Sequence, residues 1–194
     1  MKRRLFLLTT STSALSACGK SIDVAEWTEE VKLHDGQMIQ VWRKARAYSG
    51  GFPNSKRGRD IDFELKYEAM NVQWKGDWSR DPLSFDIFEG VPHLVLYIKD
   101  PQSCEAKART DYSAQFLRWV NGQWVEVKQA DFPVDRASLN LHSGYWGHST
   151  ADDAKGLITW DTKAERNSFY RSEPDTIKAF FERGKRFCSR FTSN

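Results

Sequence analysis

The sequence predicts a mainly β fold, an antiparallel meander closing as a sandwich or an open barrel-like sheet, with one amphipathic helix near the C-terminus. Three features predict it. Ile61, Phe63, Leu65 and Tyr67 alternate with Asp62, Glu64, Lys66 and Glu68, the period of two that sends successive side chains to opposite faces of a half-buried strand. Residues 116–120 and 123–127 are apolar-rich runs on either side of Asn121-Gly122. Asn-Gly in that setting specifies a two-residue hairpin, because a type I′ turn needs positive φ at both central positions. Lastly, Ile177, Phe180, Phe181 and Phe187 recur near helical spacing, with Lys178, Glu182, Arg183, Lys185 and Arg186 elsewhere around the wheel, the pattern of a helix lying on a sheet.

The remaining elements follow in order. Residues 31–33 and 39–42 flank Asp35-Gly36 and read as a second hairpin. Residues 72–74, 84–88 and 157–160 read as short strands, and the uninterrupted apolar run 94–98 as a central strand covered on both faces. Strands joined by tight turns give an antiparallel meander. For the helix, Ser172 is placed to cap, Asp175 follows in the first turn, and Pro174 is tolerated there because its missing N–H is no loss. Gly184 weakens the helix beyond that point.

The N-terminus has another layout. Lys2, Arg3 and Arg4 precede an uncharged stretch, residues 5–17, which is the arrangement of a secretory signal. The stretch is diluted by Thr9, Thr10, Ser11, Thr12 and Ser13, and it is shorter than the roughly 20 apolar residues a membrane-spanning helix needs. It ends in Leu15-Ser16-Ala17-Cys18, which resembles the lipobox of bacterial lipoproteins. Small residues at Ser16 and Ala17 suit a peptidase cleft, Leu15 suits an apolar subsite, and the Cys18 thiol is the nucleophile for lipid attachment. The resemblance implies that 1–17 is a signal peptide, 18–25 an acylated cysteine with a short tether, and 26–194 a single mainly β domain. It implies a membrane partner through the lipid on Cys18, since two or more acyl chains hold a protein stably. Gly19, where an Asp would retain the protein in the inner membrane, implies an outer-membrane location facing the periplasm. A tether of this length reaches about 20 Å when extended, so the domain is expected close to the bilayer.

Composition narrows the function classes. With 40% hydrophobic and 28% charged residues the chain is composed like a globular domain and not like a disordered one, and its length suits one domain. The formal charge of +3 is accounted for by Lys2, Arg3 and Arg4 of the signal, so the rest of the chain is neutral. A neutral secreted domain lacks the basic footprint of a nucleic-acid binder, and no nucleic-acid partner is expected. The stretch containing Trp27, Glu29, Glu30, Val31, Leu33, Asp35 and Gly36, with the Ile39/Val41 strand and the Asn-Gly hairpin carrying Trp124, resembles a group of uncharacterised proteobacterial lipoproteins. That group implies no particular activity.

Chemistry-bearing residues are few. His142, His148 and Asp152 stand close in sequence, with Trp146 between the two histidines; two imidazoles and a carboxylate are a feasible Zn²⁺ set. The spacing matches no zinc signature, and Gly144 and Gly147 favour a solvated loop, so no metal and no cofactor is expected. His34 reads as an exposed turn residue and His93 as a strand-edge residue, and no catalytic residue is assigned. The chain has no Gly-x-Ser-x-Gly elbow, His-Glu-x-x-His helix or phosphate-binding glycine loop. The tryptophans are expected mainly in strand packing, with Trp146 the candidate platform for a ligand. The basic runs at 43–46 and 56–59 read as surface charge, or as contacts to anionic headgroups. Cys104 and Cys188 are the thiols left once Cys18 is acylated, and in an oxidising compartment they are expected to form a disulfide. The reading is a non-enzymatic binding or structural module that meets an envelope protein or glycan. The alternatives are a metal-dependent hydrolase using His142, His148 and Asp152, and an immunity or exclusion lipoprotein.

Overall fold

The computed structural model describes residues 22–48, 60–98, 114–142, 156–166 and 176–182. Among the described residues, nine strands form two sheets. The first has the order β4-β3-β2-β1-β9, from β1 (Ile22–Lys32), β2 (Met38–Tyr48), β3 (Asp60–Tyr67), β4 (Val72–Asp77) and β9 (Leu157–Ile158). The second has the order β5-β6-β7-β8, from β5 (Arg80–Phe88), β6 (Val91–Ile98), β7 (Ala114–Val120) and β8 (Gln123–Val127). β1 to β4 and β5 to β8 are consecutive antiparallel meanders, as the tight turns require. The mainly β, antiparallel-rich expectation holds, and the arrangement is two sheets and not a closed barrel.

Alternation decides which faces meet. On the first sheet Ala25, Trp27, Val31, Val41, Phe63 and Leu65 are buried, and they pack against Phe85, Leu94, Leu96 and Leu117 of the second. The opposite face of the second sheet presents Leu83, Val95 and Phe116 to Phe132, Ala137, Leu139, Ile177 and Phe181. β6 is thus covered on both sides, as its unbroken apolar run predicts.

Asn121 and Gly122 adopt φ of 51° and 81°, the signs a type I′ turn requires, and Trp119 opposes Trp124 across the hairpin with ring centroids 5.1 Å apart. Gly122→Val should therefore lower stability by about 1–2 kcal/mol, the cost of a left-handed backbone for a residue with Cβ, read from chemical denaturation midpoints. The Asp35-Gly36 turn departs from that form. Gly36 alone takes positive φ there, at 87°, and the loop closes more widely, through Leu33 N–H to Gln37 O at 2.9 Å.

Three elements depart further from expectation. Ile22 to Ala25, assigned to the tether, pair with Tyr48 to Ala45 as strand. The expected strand at 157–160 keeps two residues, and these pair parallel with Thr28 and Glu29, so the first sheet is mixed. Trp160 opens a helix, α1 (Trp160–Arg166), because Thr159 Oγ1 accepts from Thr162 N–H at 3.2 Å and the Glu30 carboxylate accepts from Trp160 N–H at 2.9 Å. Both satisfy donors that a helix start leaves open, and a carboxylate also suits the positive end of the helix dipole.

The C-terminal helix is present at 177–182 (α2). Ile177 and Phe181, one turn apart, bury on the second sheet, while Lys178 and Glu182 face solvent. Ile177 N–H to Ala137 O at 2.9 Å fixes its start. Ser172, Pro174, Asp175, Gly184 and Phe187 lie outside the described residues.

Candidate functional site

Of the residues singled out from sequence, Cys18, Cys104, Trp146, His148, Asp152 and Cys188 lie outside the described residues, as does the basic run 56–59. The elements that precede the two cysteines, β6 and α2, share one apolar cluster. His142 is described and is buried, and its backbone N–H donates to Glu29 Oε2 at 2.8 Å. The tryptophans that can be placed mostly serve packing. Trp27 and Trp74 are core residues, and Trp124 packs against the core while its Nε1–H donates to Gln73 O at 2.8 Å. Trp42 lies under Lys66 Nζ at 4.6 Å.

Two histidines differ from their expected roles. His34 is half-buried and not an exposed turn residue. Its backbone N–H and Nδ1 both engage Asp86, the latter at 2.9 Å, and its ring stacks on Phe88 at 4.3 Å. His93 sits within β6, paired on both sides, and is 7% exposed. The basic run 43–46 is not free surface charge either. Arg43 is fully buried, Lys44 pairs with Glu26 at 2.6 Å, and Arg46 pairs with Asp62. The bond from Arg46 holds the Asp62 carboxyl below its ordinary value, against a smaller opposing effect of burial.

The core phase of β1 and β2 carries charge. Glu29 and Arg43 occupy positions where alternation calls for apolar side chains, and both are 0% exposed, as is Lys163 of α1. Glu29 Oε1 accepts from Arg43 Nη1 at 2.7 Å, and Oε2 accepts from Lys163 Nζ at 2.5 Å. Lys163 Nζ also donates to Glu30 O at 2.6 Å and Asn140 O at 2.7 Å, which uses all three ammonium hydrogens. Burial would raise the Glu29 pKa, but Lys163 and then Arg43 outweigh it and hold the carboxyl below its ordinary value. Arg43 Nε and Nη2 and Trp27 Nε1 are buried without an acceptor. The guanidinium lies over the Trp27 ring at 5.5 Å, a contact that offsets part of that cost. These groups are committed to one another and to the backbone. Their chemistry is that of a structural lock between β1, β2 and α1.

An open cavity of about 450 Å³ lies on the outer side of the second sheet. It is lined by Phe88 and Phe132, by His93 and Arg118 from β6 and β7, and by Glu89, Asp131 and Arg136. The register places Arg118 directly across from His93, so the two side chains are neighbours on one face. Burial, with help from the Arg118 charge, lowers the His93 pKa, which makes the imidazole neutral at pH 7. Its Nδ1 lies 2.8 Å from Val91 O; a carbonyl can only accept, so Nδ1 carries the proton and Nε2 is the acceptor. Glu89 sits on the β5–β6 turn with φ of 52°, and the Arg136 guanidinium lies 5.1 Å from the Phe88 ring centroid.

Sequence reasoning missed both places. The lock was signalled by charges in the apolar phase of two strands, Glu29 between Trp27 and Val31 and Arg43 between Val41 and Ala45. The cavity carried no such signal, because its residues come from a turn, three strands and the segment 130–136. Comparison of the chain with protein-family models, with curated proteins and with solved structures gives no match.

Proposed function

We propose that the chain is a lipid-anchored module of the bacterial cell envelope that binds another envelope component and is not an enzyme. The observation that carries this reading is Leu15-Ser16-Ala17-Cys18 after a basic n-region and an uncharged stretch. Two features of the fold support it. β1 begins at Ile22, so the folded domain starts almost at the acylated cysteine and would lie against the bilayer, where its partner must come. The described residues also offer a cavity suited to binding, whereas the buried ionisable groups of the lock are occupied in holding β1, β2 and α1 together.

Cys18→Ser tests the reading. The native chain should label with fatty acid and partition into membranes, and the variant should do neither and appear in the soluble fraction. Membrane association unchanged in the variant would overturn the anchor. Gly19 adds that the native protein fractionates with the outer membrane; recovery chiefly with the inner membrane would reject that location.

A further inference from the structure

We propose that the cavity between β6, β7 and segment 130–136 is a binding site for a short zwitterionic peptide, two or three residues long with both ends free. The proposal deepens the binding-module reading and rests on it for where the ligand is met, while the chemistry of the cavity is independent of Cys18.

Charge is the first argument. Arg118, Arg136, Glu89 and Asp131 all line this one cavity, and among the described residues none of the four is held in an ion pair or a side-chain hydrogen bond. A neutral ligand would leave all four as they are, and a simple anion would meet two carboxylates as well as two guanidiniums. A ligand with a carboxylate at one end and an ammonium at the other offers each pair a partner, through charge-assisted bonds stronger than neutral ones.

The neutral imidazole is the second. With Nδ1–H committed to Val91 O, His93 presents Nε2 as an acceptor, and the group a peptide offers between its charged ends is an amide N–H. The apolar part of the lining is the third. Phe88 and Phe132 line the cavity, are nearly buried and are braced edge to face, a rigid apolar edge for a small side chain. About 450 Å³ falls within the roughly 300–1,000 Å³ of small-molecule sites, larger than one amino acid needs.

The test is calorimetric titration of the full chain, purified in detergent, with trialanine and its capped forms. Trialanine should bind saturably. N-acetyl-trialanine, trialanine amide and the doubly capped peptide should each bind about tenfold or more weakly, the loss expected when a charge-assisted bond is removed. Arg118→Gln and Arg136→Gln alter exposed side chains and should each weaken trialanine to a similar degree with thermal unfolding unchanged. No binding of trialanine, equal binding of the doubly capped peptide, or equal binding of N-acetyl-trialanine would each overturn the proposal, the last by showing an anion site. Failure here leaves the Cys18→Ser fractionation result standing, and failure of that fractionation leaves this titration standing.

Discussion

Glu29→Gln should lower unfolding stability by about 3–5 kcal/mol, the range for breaking a buried ion pair by removing one partner. The loss arises because Arg43 and Lys163, both 0% exposed, then lose the buried carboxylate that both of them contact. The denaturation midpoint should fall with little change in slope. The pH dependence has a definite sign. Glu29 has an ordinary pKa of 4.5, lowered in the folded state, so its contribution is complete above about pH 4.5 and disappears as pH falls through the lower folded value. Asp62, lowered from 3.8 by Arg46, adds in the same direction over a slightly more acidic window. The native protein should therefore lose stability steeply below pH 4.5, and Glu29→Gln should flatten that limb. A Glu29→Gln variant as stable as the native protein would show that the lock contributes no net stability.

Asn140→Leu should cost about 3 kcal/mol or more. The buried amide accepts from Phe85 N–H at 2.9 Å and donates to Phe85 O at 2.8 Å and Lys32 O at 3.0 Å. Lys32 ends β1 of one sheet and Phe85 belongs to β5 of the other, so one side chain ties both sheets to the segment that follows β8. Leucine fits the volume but strands three backbone groups, each costing about 1–3 kcal/mol when left unpaired in the interior. Asn140→Asp should do nearly as badly, since it can accept from Phe85 N–H but meets two carbonyl oxygens with a charge. Urea unfolding of both variants would check this, with near-native midpoints counting against the bridging role.

The strands were largely legible because each carries its own pattern. Ile61 to Glu68 alternates cleanly, residues 94–98 of β6 are apolar throughout and are covered on both faces, and Asn121-Gly122 admits few backbones. These signals are local, a few residues wide, and set by chain geometry. What could not be read was whatever depends on remote partners. β9 is too short to show a period, and its pairing with β1 joins Thr28 to Leu157. α1 is short and opens on Trp160, a residue that suits strands, so its start rests on Thr159 and on Glu30 from another part of the chain. His34 looked like a turn residue because the turn is local and Asp86 is not. The charges at Glu29 and Arg43 stood in plain view in the apolar phase, but the third member of the cluster, the Lys163 ammonium on the same carboxylate, could be found only once α1 was placed.

The two meanders and the bonds that join them differ in when they can form. Hairpin contacts close short loops, which is fast, whereas contacts between remote positions wait on the entropy of closing long ones. Asn140 meets Lys32 across 108 positions, and Lys163 meets Glu30 across 133. During synthesis, therefore, both meanders can be complete while Glu29 faces Arg43 alone and the Asn140 bridge between the sheets is still missing. These long-range bonds close after the hairpins, through residues that follow both meanders in the chain. A chain cut after β8 would keep both meanders but lose β9, the Asn140 amide that bridges the sheets and the Lys163 ammonium on Glu29, leaving it open to proteases that clear unfinished proteins.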